Sequence, residues 1–288
     1  MRVLVTGARG GIGRHVVDQL VASGDEVVAV DRVPLDGPQP PGIVAHELDL
    51  LDIEGLRAVA DGCNALVHLA AIPSPVLGPP EEVFMVNAVS TFNVLQAFSD
   101  TGGRRAVLAS SLSALGMPFA PEVFSPLYAP VDEEHPLFPA DAYGLSKEVT
   151  ESAGEMFHRR YQATVVILRF PGAFDAARFA PRLAALRRDP GTEVDVRELW
   201  AYIYHEDVAS AFVLATHANL PGYEVVNVGA ADTLCDVPTS ELLRRYHPMT
   251  EIRSPIEANA PVWSIEKARR VLGFTPHHTW RTDAAIPH

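Results

Sequence analysis

Thr6-Gly7-Ala8-Arg9-Gly10-Gly11-Ile12-Gly13 stands between an apolar run, Val3 to Val5, and a stretch from Gly11 to Ala22 whose Ile12, Val16, Val17 and Leu20 share one helical face. A strand that turns this tightly into a helix needs glycine. The same residues let the backbone approach a pyrophosphate, to which the helix start offers unpaired N–H groups and a positive dipole end. Gly13 lets the helix pack close to the strand. Gly7, Arg9, Gly10, Gly11, Ile12 and Gly13 are therefore the candidate contacts of a dinucleotide. A glycine-rich turn by itself is a weak signal, and its place between a first strand and a first helix gives it weight.

Outward from this turn, short apolar runs alternate with amphipathic ones. Strands are expected at Glu26 to Val30, Ile43 to Leu48, Ala65 to Leu69, Ala106 to Ala109 and Thr164 to Leu168, with helices at about 53–60, 82–98 and 142–160. Near-continuous apolar strands between helices predict an α/β fold, a doubly wound parallel sheet covered on both faces. The segment from Gly116 to Asp141 breaks the rhythm with six prolines and the acidic Asp132-Glu133-Glu134. Phe119, Phe124 and Tyr128 punctuate it, so it reads as an ordered loop over the cofactor cleft. Past Phe174 the pattern is less regular, with helices expected at about 178–187, 206–216, 239–246 and 264–271. The division that follows is a core over 1–173 and a small C-terminal substrate-binding cap over 174–288, with about 205–230 returning to the core.

Composition narrows the partners. Across 288 residues, 23 Lys and Arg face 36 Asp and Glu, a net charge of −13, so no basic footprint exists for nucleic acid or an anionic membrane. Cys63 and Cys235 supply neither a disulfide framework nor a metal-ligand cluster, so no metal is expected. Apolar sequence begins at Val3, which leaves no room for a signal peptide, and no run reaches the ~18 residues of a membrane span. Both point to the cytoplasm.

Asp31 ends the second strand about 20 residues past the loop, where a carboxylate binds adenosine ribose hydroxyls. It would repel a 2′-phosphate, which favours NAD; Arg9 and Arg32, able to pair with that phosphate, leave NADP open. Asp49, after the third strand, could accept from the adenine amino group. In Tyr143-Gly144-Leu145-Ser146-Lys147 a phenol and an ammonium share a helix face. An ordinary phenol titrates near 10, too high for a base at neutral pH, and the lysine cation is expected to bring it down. Ser111, ending the fifth strand, can polarise a substrate carbonyl.

The glycine run, Asp31, His68-Leu69-Ala70-Ala71, Ser110-Ser111 and Tyr143 to Lys147 occur in the order found in extended short-chain dehydrogenase/reductases, the NAD-dependent epimerase/dehydratase family, which the chain resembles over nearly its whole length. Val86-Asn87, Asp132-Glu133 and Tyr204-His205-Glu206-Asp207-Val208-Ala209 extend the resemblance. It implies a Rossmann core and a Ser111–Tyr143–Lys147 triad, with Lys147 also holding the nicotinamide ribose. It further implies cofactor contacts from Leu50, Leu69, Ala70, Ala71, Asn87 and Pro171, and from the stretch around Arg169 to Gly172. His68 and His205 read as packing residues, and Asn87 by itself as a helix anchor. Many members dimerise through two helices, here about 82–99 and 142–160, so a homodimer is expected.

Nucleotide-sugar epimerases of this family commonly carry an Asn just after the strand that here ends near Arg169. This chain instead reads Arg169-Phe170-Pro171-Gly172-Ala173-Phe174. With a short cap as well, a smaller sugar-like or sugar-acid substrate fits, bounded by Ser111, Ser113 and Gly172. Arg197 resembles the arginine with which uronate dehydrogenases hold a carboxylate. The leading expectation is net hydride transfer between nicotinamide and a secondary alcohol or ketone. One alternative is a nucleotide-sugar epimerase or dehydratase with tightly bound NAD, its diphosphate gripped by Arg178, Arg182, Arg187 and Arg188. The other is a non-catalytic NAD(P)-sensing protein.

Overall fold

The computed structural model describes residues 1–34, 37–186 and 189–282, with side chains for all of these except 176–179. Arg187 and Arg188 lie outside the described residues, and the side chain of Arg178 does too.

The chain runs β1 (Arg2–Thr6), α1 (Gly11–Ala22), β2 (Glu26–Asp31), β3 (Ile43–Glu47), α2 (Ile53–Ala60), β4 (Ala65–His68), α3 (Pro80–Asp100) and β5 (Arg105–Ala109). A 3-10 turn (Leu112–Leu115) then leads to β6 (Tyr128–Ala129), α4 (Ala142–Tyr161), β7 (Thr164–Arg169) and β8 (Ala173–Phe174). The remainder is α5 (Ala176–Leu186), α6 (Glu193–Arg197), β9 (Ile203–Tyr204), α7 (His205–His217), β10 (Tyr223–Asn227), α8 (Thr239–Tyr246), β11 (Glu251–Ile252) and α9 (Glu266–Leu272).

Seven strands form one parallel sheet in the order β10-β7-β5-β4-β1-β2-β3. Alternate side chains of each strand enter different cores, as the two-residue period dictates. In β1, Val3 and Val5 pack on the α1, α7 and α9 side, whereas Leu4 packs on the α2, α3 and α4 side. The strand order reverses between β1 and β4, and beyond their carboxyl ends opens the crevice where such sheets bind ligands.

Two smaller apolar clusters lie at the C-terminal side of the sheet. One gathers Leu183 and Leu186 of α5, Val196 of α6, Trp200, Tyr202 and Trp280; the other gathers Leu115, Met117, Val131, Leu243 and Trp263. The segment from 116 to 141 is pinned from several sides. Val131 N donates to Val262 O at 2.7 Å, Asn227 N donates to the Glu133 carboxylate at 2.7 Å, and the Tyr128 hydroxyl donates to Asp132 at 2.6 Å. Among the described residues no helix is long and apolar enough to cross a membrane.

Candidate active site

The glycine turn is fixed by close approach. Gly7 has φ +74°, and a Cβ on it would come within 2.6 Å of the Ala70 nitrogen; one on Gly13 would sit 2.0 Å from the Gly7 carbonyl oxygen. The loop therefore exists only with the strand end Leu69-Ala70-Ala71 pressed against it. Gly10 caps α1 with no side chain, and the first turn of α1 holds no acidic residue, so the helix start presents bare N–H groups to an anion. Asp31 is placed by the same loop. Its carboxylate accepts from Arg9 N at 3.0 Å and from Val33 N at 3.2 Å, and keeps lone pairs for ribose hydroxyls. Asp49 is exposed and closes its own turn by accepting from Leu51 N at 2.9 Å, while the Leu50 carbonyl accepts from Asn93. These residues fit a dinucleotide.

Ser111, Tyr143 and Lys147 come together beside this cradle. Ser111 leaves β5 as the cap of the 3-10 turn, accepting from Ser113 N at 3.0 Å. Its own hydroxyl hydrogen is then free to favour the phenolate of the nearby Tyr143. Asp141 caps α4 by accepting from Tyr143 N and Gly144 N, both at 2.9 Å, and so sets the tyrosine at the helix start. One turn on, the Lys147 ammonium lies 5.5 Å from the centre of the Tyr143 ring and donates to the Ala109 carbonyl at 3.0 Å. All three side chains are buried.

That burial corrects the expected acidity. Desolvation pushes the Tyr143 phenol up to about 12, against the bond from Ser111, and the nearby Asp141 adds to the rise. Desolvation likewise brings Lys147 down to about 8. The ammonium keeps two further N–H groups beside its bond to the Ala109 carbonyl, but in the protein alone burial dominates the phenol.

Other expected contacts prove to be framework. The Asn87 carboxamide accepts from Ile72 N at 2.8 Å and donates to Ile72 O and Ser146 Oγ, both at 3.1 Å, and so ties α3 to α4. His68 bridges Thr6 at 2.7 Å and Thr91 at 3.0 Å, and burial holds its imidazole down at about 3, neutral. Arg169 is buried in a two-pronged pair with Glu151, at 2.8 and 2.7 Å, so its guanidinium is framework. Arg197, expected at a substrate carboxylate, has both terminal nitrogens engaged, one by the Ala120 carbonyl and one by Glu193.

Sequence reading missed what surrounds Arg182. Its guanidinium donates to Asp195 at 2.8 and 2.6 Å and to Glu198 at 2.6 Å, and lies 5.4 Å from the centre of the Phe174 ring next to Gly172. The two carboxylates hold the guanidinium above its usual range despite burial. Only the acidic residues of α6 and its end could have hinted at this, because Asp195 follows Arg182 by 13 residues.

The glycine cradle, the strand-end carboxylate Asp31 and the Ser–Tyr–Lys group on one parallel sheet define a dinucleotide-binding protein of the short-chain dehydrogenase/reductase class. Residues 3–229 match the NAD dependent epimerase/dehydratase family, and the chain belongs to it. It is 28% identical to a UDP-glucose 4-epimerase of Streptomyces lividans, over 99% of this chain and 93% of that one. It is 30% identical to an NAD-dependent glucose-6-phosphate dehydrogenase of Haloferax volcanii, over 58% of this chain and 66% of that one. The crystal structure of a Thermus thermophilus UDP-glucose 4-epimerase in complex with NAD superposes with a TM-score of 0.69 at 27% identity, covering 97% of this chain and 95% of that one. The protein is thus an NAD-binding enzyme of this superfamily, which displaces the reading as a sensor without turnover.

Proposed function

We propose that this enzyme is an NAD-dependent dehydrogenase that oxidises a secondary alcohol, or reduces the matching ketone, of a small polyhydroxylated substrate lacking a diphosphate. The observation that carries the reading is that two arginines of the C-terminal segments, Arg182 and Arg197, are already paired. Arg182 is already bound to Asp195 and Glu198, and Arg197 to Glu193, so neither is a free cation for a pyrophosphate. The relative in Haloferax volcanii, named as a dehydrogenase, supports net redox chemistry within the family.

In this reading Ser111 donates to the reacting oxygen and Tyr143 carries its proton. NAD, when bound, supplies the hydride acceptor and a positive ring beside the phenol. A buried phenol at about 12 is protonated at neutral pH, so Tyr143 is ready as the acid for carbonyl reduction. For oxidation it must first lose that proton, and the Ser111 hydroxyl favours the phenolate. Lys147 holds the nicotinamide ribose and fixes the tyrosine's side of the cleft. Ser113 and Gly172 border the substrate, and the segments after 174, apart from about 205–230, form the substrate-binding cap. Exposed Met85, Val89 and Phe92 on α3 with Leu145 on α4 make one apolar face, which suits a homodimer through these helices.

A second reading, a UDP-hexose epimerase that reduces and reoxidises held NAD, is favoured by the likeness to the Streptomyces lividans UDP-glucose 4-epimerase across 99% of the chain. Absorbance of NADH during incubation with NAD and a panel of sugars, sugar acids and UDP-hexoses separates the two. Stoichiometric NADH from a free sugar or sugar acid is expected. Interconversion of a UDP-hexose pair with no net NADH would overturn the proposal.

A further inference from the structure

His205 opens α7 at a place where three elements meet, and no step described above uses it. Its ring is 7% exposed and lies against Gly11, the first residue of α1. A Cβ on Gly11 would stand 2.9 Å from the His205 Cε1 and 3.4 Å from each ring nitrogen, and these three ring atoms are its nearest neighbours. The absence of a side chain at Gly11 is therefore matched to this imidazole.

The ring also reaches the other wall of the cleft. Its Nε2 lies 3.1 Å from the carbonyl of Ala173, two residues past Pro171. Burial holds the imidazole below its ordinary value, so the ring is neutral, and a carbonyl partner requires that Nε2 carry the proton. Nδ1 is then a bare acceptor, and among the described residues it has no partner. Around the ring stand His15 of α1, with ring centres 6.2 Å apart, Glu206 of α7, and Asp175 beyond β8.

We propose that His205 is a positioning residue that locks the start of α1 to the segment after β7, so that the phosphate-binding loop and the substrate-side wall move as one body. The ring fills the space that glycine leaves, and the bond from Nε2 to Ala173 holds the Pro171-Gly172 turn at that spacing. The inference rests on NAD binding and is indifferent to whether the reaction is a dehydrogenation or an epimerisation.

The test is a mutant cycle on the full chain, read as NAD affinity by calorimetry, with melting temperature reporting that each variant is folded. Gly11→Ala pushes the ring aside and is expected to weaken NAD roughly 10-fold, and His205→Ala roughly 5-fold, as coupled neighbours of this kind can. The double variant should bind NAD no worse than His205→Ala alone, because the new methyl then occupies the vacated space. Losses that multiply would mean that the methyl acts on the cofactor itself, and would overturn the proposal. His205→Gln can place an amide donor where Nε2 stood and should keep affinity within about 2-fold, whereas His205→Asn is too short and should resemble His205→Ala. Equal affinities for the Gln and Asn variants would also overturn it. If Gly11→Ala does not fold, the Gln and Asn pair decides the matter alone.

Discussion

Beneath the cofactor end of the cleft, one line of support runs through neutral groups in series, beside the buried pair of Arg169 and Glu151. Thr6 meets His68, His68 meets Thr91, and Thr91 lies 3.4 Å from Thr150, which donates to the Ser146 carbonyl on the helix of Tyr143 and Lys147. The cap is braced by full charges instead, with Arg182 between Asp195 and Glu198, and Arg281 between Asp232 and Asp236. The difference follows from what each region must leave free. A loop that receives a pyrophosphate keeps the N–H groups of its helix start bare. In the C-terminal segments, Arg182 and Arg281 are instead consumed by carboxylates of the same region.

The largest expected effect falls where the two regions meet. Tyr143→Phe removes the proposed proton carrier while leaving the neutral framework intact, since the phenol oxygen takes no part in the Thr6–His68–Thr91–Thr150 series. Turnover should fall by roughly 10²–10⁴ with NAD affinity within a factor of about two of the parent. Parallel loss of NAD binding would show that the tyrosine belongs to the cofactor's support and not to the chemistry.

Next in size is the cap. Arg182→Met strips the cation from between two carboxylates, of which Asp195 has a side chain only 4% exposed. Removing one partner of a buried pair typically costs about 3–5 kcal/mol, and the 17% exposure of Arg182 places this case at or below the lower end, roughly 3 kcal/mol. Urea unfolding at neutral pH checks the value. Recovery by a further Asp195→Asn change would show that the loss came from the unpaired anion. An unchanged midpoint in Arg182→Met would mean that the ionic bracing contributes nothing.

The same contrast explains what could be read from the chain. Where function is fixed by backbone, local sequence carries it. Gly7, Gly13 and Asp31 are dictated by a turn and a strand end, and β1 to β5 and β7 begin and end within a residue or so of their expected bounds. Short elements completed by distant partners left no periodic trace. The edge strand β10 has only five residues, and its Tyr223, Glu224 and Val225 are half-buried, so it lacks the continuous apolar run of its neighbours. The pairs β6–β11 and β8–β9 are two residues long and exist only because the cap folds back. Side chains were least legible. Asn87 meets Ser146 across 59 positions and Arg197 meets Ala120 across 77, so that both looked available for ligands when read singly.

The smallest effect tests whether the cofactor end is truly supported by neutral groups. His68 is fully buried, and its folded value of about 3 lies below the ordinary 6.5. A group depressed in this way binds fewer protons folded than unfolded, so stability is fully present above 6.5 and is lost as pH falls through the window from 6.5 toward 3. Its share of the slope is about 1.4 kcal/mol per pH unit. His68→Gln keeps an amide that can bond to a threonine but cannot take up the proton. Denaturant midpoints measured at pH 7 and at pH 5 should therefore converge in the variant relative to the parent, by roughly one and a half units' worth of that slope. Equal pH slopes in the two proteins would mean that the imidazole takes up its proton as readily folded as unfolded, and the neutral series from Thr6 to Thr150 would have to be redrawn.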